Sequence, residues 1–189
     1  MSTISKRLSA WAATIAALLL IPLVLTIRSG GVEGASLHWS VFDFIFAGTL
    51  LFGSGLTYEL IRRQSSSASY RIGAGIAVVT GLLLIWINGA VGIIGSEDNP
   101  ANLLYGAVFV VGFFDTIVSR LEPWGMSRTL IATAVVQALV PVTAFLIWKP
   151  DFSAGVVQMF VLNAFFVLLW VIAALFFRHA AANEKLASF

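Results

Sequence analysis

The chain has 189 residues, of which 59% are hydrophobic and only 11% are charged, with a formal net charge of +2. Soluble domains carry roughly 25% charged residues, so this composition excludes an ordinary soluble domain. The absence of cysteine excludes disulfides and thiolate metal sites, and the small net charge gives no support for nucleic-acid binding. The composition predicts an all-α integral membrane protein.

Six apolar segments are long enough to cross a bilayer, whose hydrocarbon core of about 30 Å takes about 20 helical residues. They lack the alternation of a β-barrel, and unpaired backbone groups are costly in lipid, so we expect helices. The predicted helices cover approximately 8–27, 40–61, 72–95, 102–119, 129–148 and 154–177. Because the connections are short, we expect one polytopic transmembrane domain over residues 1–189, a bundle of six transmembrane helices with no extramembrane domain.

The basic residues predict the orientation. With six spans, only Arg28 and Lys149 fall on one side, and the other nine of the eleven lysines and arginines fall on the opposite side. By the positive-inside rule, both termini lie in the cytoplasm. We therefore expect a multi-pass protein of the bacterial cytoplasmic (inner) membrane.

Several helix starts carry capping signals. Asn99 followed by Pro100 places a capping side chain before a proline at the first helical position, where its missing N–H does no harm. Ser127 and Asp151 are predicted to cap the fifth and sixth helices in the same way.

The stretch around Asp43 supports two interpretations. Ser40 and Asp43 have the spacing of a capping box, and Trp39 and Phe44 are placed as a hydrophobic staple around it. On this interpretation Asp43 only closes the start of the second helix. The alternative is a working carboxylate that faces an aqueous path.

Three acids fall inside predicted spans, where an ionisable residue is a functional hypothesis by default. They are Asp43, Glu59 and Asp115. Glu59 can pair with Arg63 one helical turn on, or it can have a functional role. Asp115 lies about 7 Å inside Arg120 at 1.5 Å per residue and has no correctly spaced base in its own helix, so it is the strongest single candidate for function.

Neutral polar residues also occur in the apolar segments, notably Asn88, Gln137 and Asn163. Asn88 shares a predicted face of the third helix with small residues, namely Ala77, Gly81, Gly92 and Gly95. Such faces permit close helix packing, and an amide there can bond across the interface. The alternative is a polar-lined cavity between the third, fifth and sixth helices, with Pro141 loosening the backbone beside Gln137.

The predicted outer ends of the second to fourth helices gather polar residues, namely His38, Asp43, Asn88, Glu97, Asp98 and Asn99. Such a group could attract cations or protons at a vestibule. The stretch 96–100 also has the composition of a solvated turn before a capped helix, and this is the interpretation we favour.

A weak repeat relates two hairpins. Arg63 and Arg71 are eight residues apart, as are Arg120 and Arg128, and each second arginine is followed by Ala-Val-Val at the same distance. Duplication of an ancestral hairpin, as transporters often carry, would explain this pattern. Chance resemblance between two apolar hairpins explains it equally well.

Several chemistries are excluded by missing residues. The only histidines, His38 and His179, fall at opposite faces, so one chain offers no bis-histidine haem site. All lysines lie outside the spans, and Ser54 lacks a histidine at matching depth to act as its base. We expect no enzyme, no cofactor and no metal site.

Two functional classes remain. The first is a small transporter or channel for a small solute or ion, with Asp115, Glu59 and Asn88 as the expected polar contacts. The second is a non-catalytic accessory or scaffold subunit of a larger membrane complex. The expected partners are the lipid bilayer, a further copy or another membrane protein, and a small solute or ion, but no nucleic acid.

Overall fold

The computed structural model describes residues 3–28 and 39–186, and within them the chain is helical and contains no strand. Six helices are long and apolar enough to cross a membrane, which confirms the prediction of six apolar helices and is compatible with a multi-pass membrane protein. The helices are α1 (Thr3–Arg28), α2 (Val41–Ile61), α3 (Ala68–Ala90), α4 (Tyr105–Val118), α5 (Pro123–Trp148) and α6 (Ala154–Leu186). Short 3-10 helices cover Arg62–Gln64 and Pro100–Leu104.

The chain divides into two compact units, residues 1–59 and 60–189. In the first unit, α1 and α2 pack through glycines. A Cβ added at Gly55 would lie 3.2 Å from the ring of Trp11, and one added at Gly48 would lie 3.6 Å from Leu19. Since the earlier residue of α1 meets the later residue of α2, the two helices run antiparallel.

The start of α2 forms the predicted capping box. The backbone N–H and the hydroxyl of Ser40 donate to Asp43 Oδ2 at 2.7 and 2.8 Å, and the Asp43 N–H donates to Ser40 Oγ at 3.3 Å. The rings of Trp39 and Phe44 meet edge to face with centroids 5.2 Å apart, as a hydrophobic staple requires. Asp43 therefore accepts the hydrogen bond from the N-cap N–H that the longer glutamate side chain usually accepts in a capping box.

Replacing Asp43 by alanine is expected to lower the free energy of unfolding by about 1 kcal/mol, the usual contribution of a helix cap. Unfolding by SDS in mixed micelles, followed by tryptophan fluorescence, measures this difference. Asp151→Ala is the matched control, because Asp151 is exposed and lies outside the helices. An Asp43→Ala variant as stable as the wild type would contradict a capping role.

In the second unit, α6 packs against both α3 and α5, and α5 packs against α4. Gly73 brings α3 close to α6, since an added Cβ would lie only 3.1 Å from the carbonyl oxygen of Ala173. The buried Tyr70 links α3 to α6 and to the connection between α4 and α5 at one end of the unit. Its hydroxyl donates to the carbonyl oxygen of Leu121 at 2.7 Å, and its ring meets Phe177 edge to face at 4.8 Å.

The ends of α3 and α6 differ from the predicted ones. α3 ends at Ala90 rather than near residue 95, because Gly92 and Gly95 adopt left-handed φ angles of 70° and 74°. These glycines are therefore part of a turn, and the prediction that they extend the small-residue face of the helix is wrong. α6 continues to Leu186, through an alanine-rich stretch with high helix propensity.

The caps of α5 and α6 also differ from prediction. α5 begins at Pro123, where the fixed φ of proline suits the first turn, so Ser127 is buried inside the helix and does not cap it. At α6 the capping oxygen is Ser153 Oγ, which accepts from the Val156 N–H at 3.4 Å, rather than Asp151. The prediction for Asn99 is confirmed, because its Oδ1 accepts from the Ala101 N–H at 2.9 Å ahead of Pro100.

Candidate functional site

Three polar side chains meet inside the second unit, one from each of α4, α5 and α6. Tyr105 is 1% exposed, Gln137 0% and Asn163 1%. We call this group the amide cluster. It brings together Gln137 and Asn163, both singled out in the sequence, with a tyrosine that was not.

Asn163 is the centre of the amide cluster. Its Oδ1 accepts from the Tyr105 hydroxyl at 3.1 Å and from Gln137 Nε2 at 2.8 Å. Its Nδ2 lies 2.8 Å from the Tyr105 oxygen and 2.8 Å from the carbonyl oxygen of Met159. An amide oxygen has two lone pairs and an amide nitrogen two hydrogens, so the hydrogen-bonding capacity of Asn163 is filled.

Gln137 is different, because its Oε1 is buried and accepts no hydrogen bond within the described part of the chain. Pro141, four residues later in α5, has no N–H, so the main-chain carbonyl of Gln137 cannot receive the usual helical bond either. A buried acceptor without a partner raises the free energy of the folded protein. The site therefore carries one buried acceptor that the described residues leave without a donor.

A pocket of about 450 Å³ adjoins the amide cluster, between the end of α3, the end of α5 and the start of α6. Its walls are mainly apolar and aromatic, with Phe145 and Trp148 on α5, and its polar side chains are Asn99, Ser153 and Gln158. No ionisable side chain is among the described residues that line it. Met159 lies in the pocket wall, and its carbonyl holds Asn163 one turn deeper. Since the amide cluster is buried, the pocket is closed from it in this conformation.

Asn102 was not among the predicted site residues, but it shapes the loop that forms one wall of this pocket. Its Oδ1 accepts from the Ile93 and Ile94 N–H groups at 3.1 and 2.9 Å, and its Nδ2 donates to the carbonyls of Ile94 and Ser96 at 3.4 and 2.6 Å. Asn88 Nδ2 in turn donates to the Asn102 carbonyl at 3.3 Å. Asn88 therefore supports the loop rather than the amide cluster.

The acids highlighted in the sequence lie elsewhere. Asp115 is half-buried, ten residues along α4 from Tyr105, which is roughly 15 Å at 1.5 Å per residue. Asp43 and Glu59 belong to the first unit, where Glu59 is 3% exposed and lies 4.0 Å from Arg7 Nη1. The Glu59–Arg63 pair stays a prediction.

Part of the polar group predicted near the outer helix ends forms a turn, over residues 96–99. The Asn99 N–H donates to the Ser96 carbonyl at 3.1 Å, and Glu97 and Asp98 between them are exposed. His38 lies outside the described residues. Over residues 3–28 and 39–186, no group of three or more histidines and acids is arranged to hold a metal ion.

No known protein family, curated protein or solved structure matches the chain.

Proposed function

We propose that this chain is a multi-pass protein of a bacterial cytoplasmic membrane, with both termini inside, that moves a small uncharged solute across that membrane. The membrane placement is supported by the six apolar helices and by large apolar side chains on the surface of the second unit. Leu103, Val118 and Phe152 are 81%, 80% and 81% exposed, as suits contact with lipid tails rather than water. The excess of basic residues at one set of helix ends supports the orientation.

The observation that carries the transport proposal is the unpaired Gln137 Oε1, which lies about two helical turns along α5 from the pocket residue Ala144. A solute that donates an O–H or N–H to this oxygen would supply the missing partner. Acidic and basic side chains are absent from the described pocket lining and from the amide cluster. Because a bare ion in an apolar interior is costly without an opposite charge, these surroundings favour an uncharged solute over an ion.

Transfer then requires a step that opens the amide cluster to the pocket. Met159 separates the two, and Pro141 weakens the hydrogen-bond ladder of α5 one turn from Gln137. A small shift of α5 against α6 at this level would expose Gln137 Oε1 to a solute in the pocket. The helices would then alternate between pocket-open and pocket-closed arrangements, as in an alternating-access carrier.

Uptake by proteoliposomes tests the proposal, with glycerol and urea as uncharged probes that donate hydrogen bonds. Stopped-flow light scattering should show faster entry of at least one probe than in protein-free liposomes. Gln137→Met should reduce this protein-dependent rate about fivefold, the effect of one neutral hydrogen bond of about 1 kcal/mol. Gln64→Met is the matched control, since Gln64 is exposed and lies in the 3-10 helix after α2. No acceleration for either probe, or equal rates for Gln137→Met and wild type, would contradict the proposal.

One observation favours a second candidate, an accessory subunit of a larger membrane complex. The Asp115 carboxylate accepts no hydrogen bond and makes no ion pair among the described residues, and Phe114 and Ile117 beside it are 60% and 58% exposed. A carboxylate on an apolar surface favours a neighbouring helix that supplies its partner. Native mass spectrometry of the protein gently extracted from its host membrane tests this candidate. A second protein bound in a fixed stoichiometry would favour the accessory subunit over the solute carrier.

A further inference from the structure

A second pocket of about 330 Å³ lies at the other end of the second unit, where α5 begins. Its lining comes from the first turns of α5 and from the late part of α6, and consists of Trp124, Ser127, Arg128, Ile131, Ala132 and Arg178. We call it the arginine pocket. It plays no part in the solute proposal above.

Two arginines, Arg128 and Arg178, line the arginine pocket. The guanidinium carbon of Arg178 lies 5.8 Å from the ring centroid of Trp124, within the range of a cation–π contact. This contact holds a side chain of α6 over α5, where Arg128 follows Trp124 by one turn. No carboxylate is among the six lining residues to neutralise the two arginines. Paired guanidiniums recognise phosphate oxygens through two parallel hydrogen bonds each.

The walls of the arginine pocket combine this charge with apolar surface. Ile131 and Ala132 lie one turn further along α5 than Arg128, and Trp124 has the amphipathic ring that membrane interfaces favour. A free phosphate ion would use only the charged rim. A phosphodiester attached to acyl chains would use both the rim and the apolar wall.

We propose that the arginine pocket binds the phosphate group of an anionic phospholipid at the cytoplasmic side of the membrane. Basic pockets between helices on that side suit such headgroups. The inference rests on the membrane placement proposed above, but it does not depend on solute transfer. The arginines would hold the phosphate, and Trp124 would position Arg178 and cover the start of the acyl chains.

Native mass spectrometry of the full chain in detergent tests the site, with phosphatidylglycerol, phosphatidylcholine and inorganic phosphate as probes. We expect preferential retention of phosphatidylglycerol over phosphatidylcholine. The double variant Arg128→Gln/Arg178→Gln should bind phosphatidylglycerol roughly thirtyfold more weakly, given the usual attraction of each basic residue for an anionic membrane. Arg71→Gln removes one positive charge from α3 outside the pocket and should bind as the wild type does. Trp124→Leu keeps both charges and should weaken binding severalfold by releasing Arg178.

Three outcomes would overturn the proposal. They are equal retention of the two lipids, unchanged binding by both the double variant and Trp124→Leu, or displacement of phosphatidylglycerol by millimolar inorganic phosphate, which would assign the pocket to the free ion. Flotation of the same protein with phosphatidylcholine vesicles separates this failure from failure of the membrane placement. If the protein floats but shows no lipid preference in mass spectrometry, only the arginine-pocket proposal fails. If the protein does not float, the arginine-pocket proposal and the membrane placement both fail.

Discussion

Replacing Asn163 by leucine is expected to lower the free energy of unfolding by about 2–6 kcal/mol. Leucine has a similar volume but no polar atoms, so the Tyr105 hydroxyl and the Gln137 amide nitrogen lose the partner that both share. An interhelical hydrogen bond in a membrane is worth on average about 0.6 kcal/mol. Leaving two fully buried groups without partners adds their desolvation cost, of about 1–3 kcal/mol each in soluble proteins.

SDS titration in mixed micelles, followed by tryptophan fluorescence, measures the Asn163→Leu effect. Gln158→Leu is the matched control, because Gln158 is an exposed amide on the same helix, and its replacement should change the free energy of unfolding by less than about 0.5 kcal/mol. Gln137→Met should be nearly neutral, since it removes an unpaired buried acceptor together with one hydrogen bond. Equal losses for Asn163→Leu and Gln158→Leu would show that the amide cluster does not stabilise the fold.

The near-neutral stability expected of Gln137→Met bears directly on function. A residue that serves only as packing should affect uptake and stability together. If Gln137 binds the solute, its replacement should lower uptake while the fold remains as stable as before. The unpaired Oε1 would then be a cost of the free protein that the solute removes when it binds.

Local signals in the sequence were sufficient where the interaction is local. The Ser40–Asp43 box and the Asn99 cap each join residues no more than three positions apart, so spacing alone identifies them. The six helices follow from the length of the apolar runs, because a helix satisfies its backbone hydrogen bonds within one segment and the runs lack the alternation of a β-barrel. The error at Ser127 arose because α5 already begins at Pro123, and the error at Asp151 arose because Ser153, two residues later, supplies the capping oxygen of α6.

The candidate site depends on tertiary contacts, and here the sequence was less informative. Gln137 and Asn163 were visible as amides in apolar segments, but their joining through Tyr105 depends on the packing of α4, α5 and α6. A tyrosine at the start of an apolar segment ordinarily suggests an interface anchor. Asp115 was the strongest candidate in the sequence because it is charged. In the structure, the buried polar network of the second unit consists of neutral side chains instead.

Asn102 shows the same limit at the pocket, because four of its hydrogen bonds reach the loop that follows α3. An asparagine three residues after Asn99 looks like another capping residue. Only the left-handed turns at Gly92 and Gly95 bring the N–H groups of Ile93 and Ile94 towards one side chain. The sequence signal that could have revealed this arrangement is a loop with two glycines, Gly92 and Gly95, followed by an asparagine near the start of an apolar segment.

Asn102→Ala is expected to lower the free energy of unfolding by about 2–6 kcal/mol, because it leaves the buried Ile93 and Ile94 N–H groups without partners at about 1–3 kcal/mol each. SDS titration measures the loss, and hydrogen exchange over residues 91–96 shows whether the loop opens. Asn99→Ala is the matched control for stability, since it removes one cap and should cost about 1 kcal/mol. Because the loop forms a wall of the pocket, Asn102→Ala should also slow solute uptake. If hydrogen exchange over residues 91–96 is unchanged in Asn102→Ala, the turns at Gly92 and Gly95 keep the loop folded without the Asn102 side chain, and the prediction is wrong.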